Sequence, residues 1–148
     1  MYLVLGSTGY IGSHFINHFT ENDILHRGLS RNDVDYTDRD TLISFLRENK
    51  PRFLINAAGY TGKPNVDACE SEKDECLFGN AVLPGRIRSV CEELGISWGH
   101  VSSGCIYSGR KSNGEGWSEE DDPNFSFRSG PCSFYSGTKA LGEEVLKG

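Results

Sequence analysis

Three glycines spaced three apart, Gly6, Gly9 and Gly12, stand directly after a short apolar run at residues 2–5. No other feature constrains the chain as much. A strand that feeds a helix through Gly-x-x-Gly-x-x-Gly needs each glycine for a different reason. Gly6 permits the tight turn, Gly9 lets a pyrophosphate approach the backbone, and Gly12 lets the helix pack closely on the strand. The free N–H groups and positive dipole end of that helix favour phosphate. The same letters also fit an ordinary glycine turn; their place after an N-terminal strand favours the nucleotide reading.

The rest of the chain alternates in the same way. Ile11, Phe15, Ile16 and Phe19 recur at helical spacing. Residues 24–29 read as a weak second strand. Asp40 or Thr41 is placed to cap a helix carrying Leu42, Phe45 and Leu46, which Lys50-Pro51 stops. Phe53-Leu54-Ile55 is a buried strand closed by Asn56-Ala57-Ala58-Gly59. Residues 66–94 read as mostly helical through Phe78, Val82, Val90 and Leu94, with Pro84 bending or interrupting the run. Residues 97–102 form the next strand candidate. Residues 108–131 form a long loop rich in Gly, Ser, Asn and charge, and 134–146 a last helix. Strands alternating with helices predict βαβ units: an α/β fold with a Rossmann-like, doubly wound parallel sheet and ligands at the carboxyl ends of its strands.

Composition narrows the partners. A formal charge of −6 weighs against nucleic acid. No apolar run approaches the ~20 residues that span a bilayer. Residues 1–6 lack the basic region and cleavage site of a signal peptide, so the expectation is a cytoplasmic protein away from membranes. The five cysteines are odd in number and include no Cys-x-x-Cys pair, which argues for reduced thiols and against a metal site or disulfide framework.

The chemistry-bearing residues lie late in the chain. Tyr135 and Lys139, four apart, share a face of a helix. A free tyrosine is a poor acid–base at neutral pH, with a pKa of about 10; a nearby ammonium stabilises the phenolate, and the phenol then serves a carbonyl oxygen. Ser103, at the end of a strand, carries a hydroxyl suited to the same oxygen. Such a pair alone also describes an exposed aromatic with a solvated lysine. Ser30-Arg31 ends the second strand where an acid would bind the ribose diol of NAD; an arginine suits the extra phosphate of NADP, and equally reads as solvated. His100 reads as packed in a strand, Lys63 as solvated rather than phosphate-binding, and residues 115–122 as an acidic loop edge.

Together these residues resemble the extended short-chain dehydrogenase/reductase superfamily, and within it the branch of dTDP-4-dehydrorhamnose reductases. The resemblance runs over the whole chain, through Gly6-Ser7-Thr8-Gly9-Tyr10-Ile11-Gly12, Asp35-Tyr36, Asn56-Ala57-Ala58-Gly59, Asn80, Ser102-Ser103, Tyr135 and Lys139. Longer strings are similar to the bifunctional 3,5-epimerase/4-reductases of nucleotide-rhamnose synthesis: residues 56–70, Ser103-Gly104-Cys105-Ile106-Tyr107, residues 119–125, and Ser133 to Ala140. The resemblance implies NADPH as preferred cofactor, with NAD also accommodated, held by residues 6–12, Arg31, Asp35, Tyr36, Asn56, Ala57, Ala58, Gly59, Asn80, Ser102, Tyr135 and Lys139. It implies a UDP- or dTDP-linked 4-keto-6-deoxyhexose as substrate, with Ser103, Tyr135 and Lys139 catalytic. Cys105 stands where the epimerase/reductases, and the similar GDP-fucose synthases, carry an epimerisation acid–base. From the residues alone, Cys105 reads as a small packed thiol. Gly104-Cys105 departs from the Asp-Glu of the sugar 4,6-dehydratases.

Members of this family run to roughly twice the present length. The expectation is therefore a nucleotide-binding part, residues 1–148, with the substrate-binding region and a second epimerisation base lying outside it. A homodimer is compatible with the resemblance. Two other readings stay open: a non-catalytic NADP-binding module or regulatory subunit, and another nucleotide-sugar epimerase. An intact Ser103, Tyr135 and Lys139 set weighs against the first, and Cys105 against a 4-epimerase.

Overall fold

The computed structural model describes residues 1–147, which divide into two compact units. The first comprises Met1–Gly59 and Leu83–Val101; the second comprises Tyr60–Val82 and the chain from Ser102 onward.

The first unit holds a four-stranded, wholly parallel sheet in the order β2-β1-β3-β4. Its strands are β1 (Tyr2–Leu5), β2 (His26–Leu29), β3 (Phe53–Asn56) and β4 (Ser97–His100). Leu3, Val4, Leu5 and Leu54 on the two central strands are fully buried, as expected where helices cover both faces of a parallel sheet. The edge strand β2, His-Arg-Gly-Leu, buries only Leu29 and leaves Arg27 exposed. Helices α1 (Tyr10–Glu21) and α2 (Arg39–Asn49) follow β1 and β2. Leu42 and Leu46 of α2 join Ile87 and Val90 of α4 (Leu83–Leu94) in the core, each such side chain contributing about 1.5–3 kcal/mol when fully buried.

The second unit is built on α5 (Phe134–Leu146). A 3₁₀ turn over Val66–Glu70, α3 (Lys73–Leu77), a π-helical turn over Phe78–Val82 and a 3₁₀ turn over Gly104–Ile106 complete its regular structure. Cys69, Cys76 and Tyr135 form its core, with Tyr60, Val66 and Phe134 packed around them. Residues 108–131 contain no helix or strand. They are held by side chains: Asn124 accepts the Ser108 N–H and returns a bond to its carbonyl, both at 2.8 Å, Lys111 pairs with Asp121 at 2.6 Å, and Tyr107 stacks on Trp117 with 6.0 Å between ring centres.

Several sequence expectations need correction. Asp38, rather than Asp40 or Thr41, caps α2 by accepting the Thr41 N–H at 2.8 Å. The helix does stop at Lys50-Pro51 as expected, Lys50 taking a left-handed conformation at φ 43°. The strand over 24–29 begins only at His26, β3 extends one residue to Asn56, and β4 stops at His100 rather than 102. The run at 66–94 is not one helix. It breaks at Ser71-Glu72 and again at the π turn, which ends just before Pro84. A proline lacks the N–H that would bond the carbonyl four residues back, and a π turn is one way to absorb that loss. Ile11 does not belong to the buried stripe of α1: it is 43% exposed, and its neighbour Tyr10 80% exposed.

Candidate active site

Each unit carries part of the candidate set. In the first, the turn from β1 into α1 is shaped by the absence of side chains. Gly6 has φ +73°, a left-handed conformation that favours glycine, and a Cβ there would meet the Ala58 backbone at 2.8 Å. A Cβ on Gly12 would lie 2.1 Å from the Gly6 carbonyl oxygen, so Gly12 is what allows α1 to start against the turn. Gly9 caps α1 without a side chain, and no acidic residue occupies the first helical turn. Gly28 lets the turn lie close to β2, since a Cβ there would meet Ser7 at 2.6 Å.

The other cofactor candidates of this unit fall into two groups. Arg31 is exposed, and its guanidinium acts on the Tyr36 phenol, as does the Gly6 backbone; burial nevertheless pushes that phenol above its ordinary pKa. These three positions are brought together. Asp35, Asn56 and Ala58 are instead tied to their own neighbours. The Asp35 carboxylate accepts the Thr37 hydroxyl at 2.5 Å and its N–H at 3.1 Å, which lowers its pKa. Asn56 is fully buried, sharing a 2.9 Å bond with the His100 ring and accepting the Ala58 N–H at 3.0 Å. Its side chain shapes the end of β3 and leaves Ala57 and Gly59 to offer only backbone.

In the second unit, α5 delivers Tyr135 and Lys139 from one face, 9% and 5% exposed. Ser133 caps this helix, its hydroxyl accepting the Ser136 N–H at 3.1 Å, and Glu70 accepts the Phe134 N–H at 2.7 Å. Glycines let α5 approach its neighbours: a Cβ on Gly137 would lie 2.2 Å from the Phe127 ring, and one on Gly142 2.2 Å from the Asn80 carbonyl oxygen. Asn80 is buried and fully engaged, pairing both ends of its amide with the Tyr60 backbone at 2.9 Å and reaching Thr138 at 3.3 Å. It acts on the protein's own chain, holding Tyr60 to the helix bundle.

Ser103 caps the 3₁₀ turn, accepting the Cys105 N–H at 3.3 Å. Four candidate residues converge here. Burial pushes the Tyr135 phenol above its ordinary pKa; the Ser103 hydroxyl opposes this, and the Cys105 thiol adds to it. Burial likewise pulls Lys139 below the usual lysine value, against which Glu143, then Cys76 and Cys105, act. The sequence led to an expectation that the ammonium would lower the phenol. In this structure burial dominates both groups, and the phenol is held in its protonated form. Cys105 is exposed, whereas Cys69 and Cys91 are buried and raised to about 12, chiefly by burial. All five thiols are free.

Ser102 was expected to touch cofactor, but its hydroxyl donates to the Glu143 carboxylate. Glu143 was missed from the sequence, although its position four residues after Lys139 marks it as a neighbour on the same face. Lys63 is exposed, as expected for a solvated lysine. Among the described residues, no helix is long and apolar enough to cross a membrane.

The chain is 36% identical to an Arabidopsis thaliana bifunctional dTDP-4-dehydrorhamnose 3,5-epimerase/dTDP-4-dehydrorhamnose reductase, over 99% of this chain and 47% of the relative. Among solved structures, the fold is similar to the L780 UDP-rhamnose synthase of Acanthamoeba polyphaga mimivirus, with a TM-score of 0.84 and 23% identity over 98% of this chain and 50% of that one. It is also similar to a Bacillus anthracis dTDP-4-dehydrorhamnose reductase in complex with NADP, with a TM-score of 0.81 and 21% identity over 99% and 48%. The chain thus spans about half the length of these relatives. The model of the RmlD substrate binding domain matches residues 1–148, the span that carries both the glycine turn and the Ser103, Tyr135 and Lys139 set, and the chain belongs to that family.

Proposed function

We propose that the protein carrying this chain is an NADPH-dependent reductase of a nucleotide-linked 4-keto-6-deoxyhexose, with 3,5-epimerase activity, acting in nucleotide-rhamnose synthesis. The convergence of Ser103, Cys105, Tyr135 and Lys139 on one turn and one helix carries this reading. The glycine turn fits a dinucleotide: added Cβ atoms at Gly6 and Gly12 would fill it, and α1 begins without a side-chain cap. Gly6 to Gly12 would hold the pyrophosphate, and Arg31 would meet the 2′-phosphate that distinguishes NADP. NADPH, when bound, supplies the hydride to C4 of the sugar.

The chain's own residues do the rest. Ser103 holds the C4 carbonyl oxygen by a hydrogen bond. Tyr135 gives that oxygen its proton as negative charge develops there, and a raised pKa keeps the phenol in the donating form at neutral pH. Lys139 binds the nicotinamide ribose and stabilises the phenolate that remains. Cys105, exposed beside Tyr135, exchanges the proton at C3 or C5, which the ketone acidifies. Free thiols and an acidic sequence accord with a cytoplasmic setting.

The test is NADPH consumption with a UDP- or dTDP-4-keto-6-deoxyhexose, with products identified by NMR. Tyr135→Phe is expected to lower turnover roughly 100-fold to 10,000-fold, and wild-type turnover in that variant overturns the proposal. Cys105→Ser is expected to lose epimerisation while still reducing a substrate already epimerised.

A further inference from the structure

Glu143 has no part in the chemistry just proposed, yet it touches the segment that carries it. It follows Lys139 by four residues on α5, so the two side chains leave the helix on one face. Lys139 is buried and Glu143 half-buried. On its other side, the Glu143 carboxylate accepts the hydroxyl of Ser102. Ser102 directly precedes Ser103, whose own hydroxyl starts the 3₁₀ turn that presents Cys105. One carboxylate therefore meets the chain that bears the serine and thiol, and faces the lysine of the Tyr135 helix.

We propose that Glu143 is a positioning residue: it ties the Ser102–Cys105 segment to α5 and fixes the Lys139 ammonium for its partners. This rests on the reductase reading for its functional meaning, but not for its physical content. The charged or titratable groups acting on Lys139 are Glu143 of its own helix, Cys76 of α3 and Cys105 of the 3₁₀ turn. Of these, Glu143 opposes burial most strongly, and it is the only carboxylate of the three. Two substitutions separate its two tasks. Glu143→Gln removes the charge and keeps an acceptor for Ser102. Ser102→Ala removes the hydrogen bond and keeps the charge.

The decisive measurement is an NMR titration of lysines labelled at Cε in the intact protein, beside a pH profile of turnover. Glu143→Gln is expected to lower the Lys139 titration by about one pH unit, a tenfold loss of proton affinity. Since a lower lysine pKa empties the ammonium at lower pH, turnover in this variant falls earlier on the alkaline side and recovers on acidification. KM for the sugar nucleotide changes less than kcat. Ser102→Ala leaves the Lys139 titration in place and lowers kcat several-fold. Glu143→Asp, which keeps the charge on a shorter arm, gives an intermediate shift and serves if the glutamine variant fails to fold. A Lys139 titration that does not move in Glu143→Gln and Glu143→Asp overturns the proposal. Failure of the reductase reading looks different: wild type and Tyr135→Phe are then equally inactive, while the lysine titration still responds to Glu143.

Discussion

Helices α1 and α5 both begin after a loop, and they begin in opposite ways. The start of α1 is bare. Glycine caps it, no acid sits in its first turn, and Tyr10 and Ile11 stand out from the protein. The start of α5 is closed: Ser133 caps it, Glu70 takes the Phe134 N–H, and every residue from Tyr135 to Ala140 is buried. The first four N–H groups of any helix need partners. In α5 side chains supply partners for the Phe134 and Ser136 N–H groups. In α1 it withholds side-chain partners, which leaves donors and a positive dipole end for an anion. One helix start is filled by the protein's own side chains, and the other is left without them.

Three substitutions test that contrast. Gly12→Ala has the largest expected effect: its Cβ would press to 2.1 Å from the Gly6 carbonyl, costing roughly 1–3 kcal/mol of stability and displacing the turn. Both the melting temperature and NADPH affinity, read by fluorescence titration, fall together. Ser133→Ala comes next. Loss of a cap costs about 1 kcal/mol, seen as a lower melting temperature, with NADPH affinity reduced less than by Gly12→Ala. Were the two affinities to fall equally, the division of labour would be wrong. Tyr10→Glu is the smallest and most telling. An acid in the first turn of α1 stabilises a helix by about 0.3–1 kcal/mol, so this variant melts higher while binding NADPH more weakly. A rise in both would remove the anion from the bare end of α1.

The same contrast marks what could be read from the letters. The glycine turn and the span of α5 were legible because each rests on local spacing: three glycines after a strand, and Tyr135 and Lys139 on one face. Elsewhere the deciding partners are remote. Asp38 outcompetes Asp40 and Thr41 as a cap because of where the loop before α2 leaves the helix, which spacing does not record. Ile11 fits the period of a buried stripe, yet in the first turn of α1 it stands exposed. Asn56 and Asn80 look like polar cofactor contacts in sequence; in the fold each is enclosed and bonded to the protein itself. Glu143 lay within reach of a helical-spacing argument. Its bond to Ser102 spans 41 positions and was visible only once the chain had folded.

Gly142 leaves an emptiness that the Asn80 carbonyl oxygen enters, at 2.2 Å from where a side chain would start. Ordinary contact begins near 3.4 Å. Any residue larger than hydrogen at this position must therefore push α5 aside by about an ångström, one helical turn beyond the lysine. Small misplacements of reacting groups cost rate steeply. The seating of α5 against its neighbours thus depends on a vacancy as much as on any bond, and a single methyl group there would shift the helix that carries Tyr135 and Lys139.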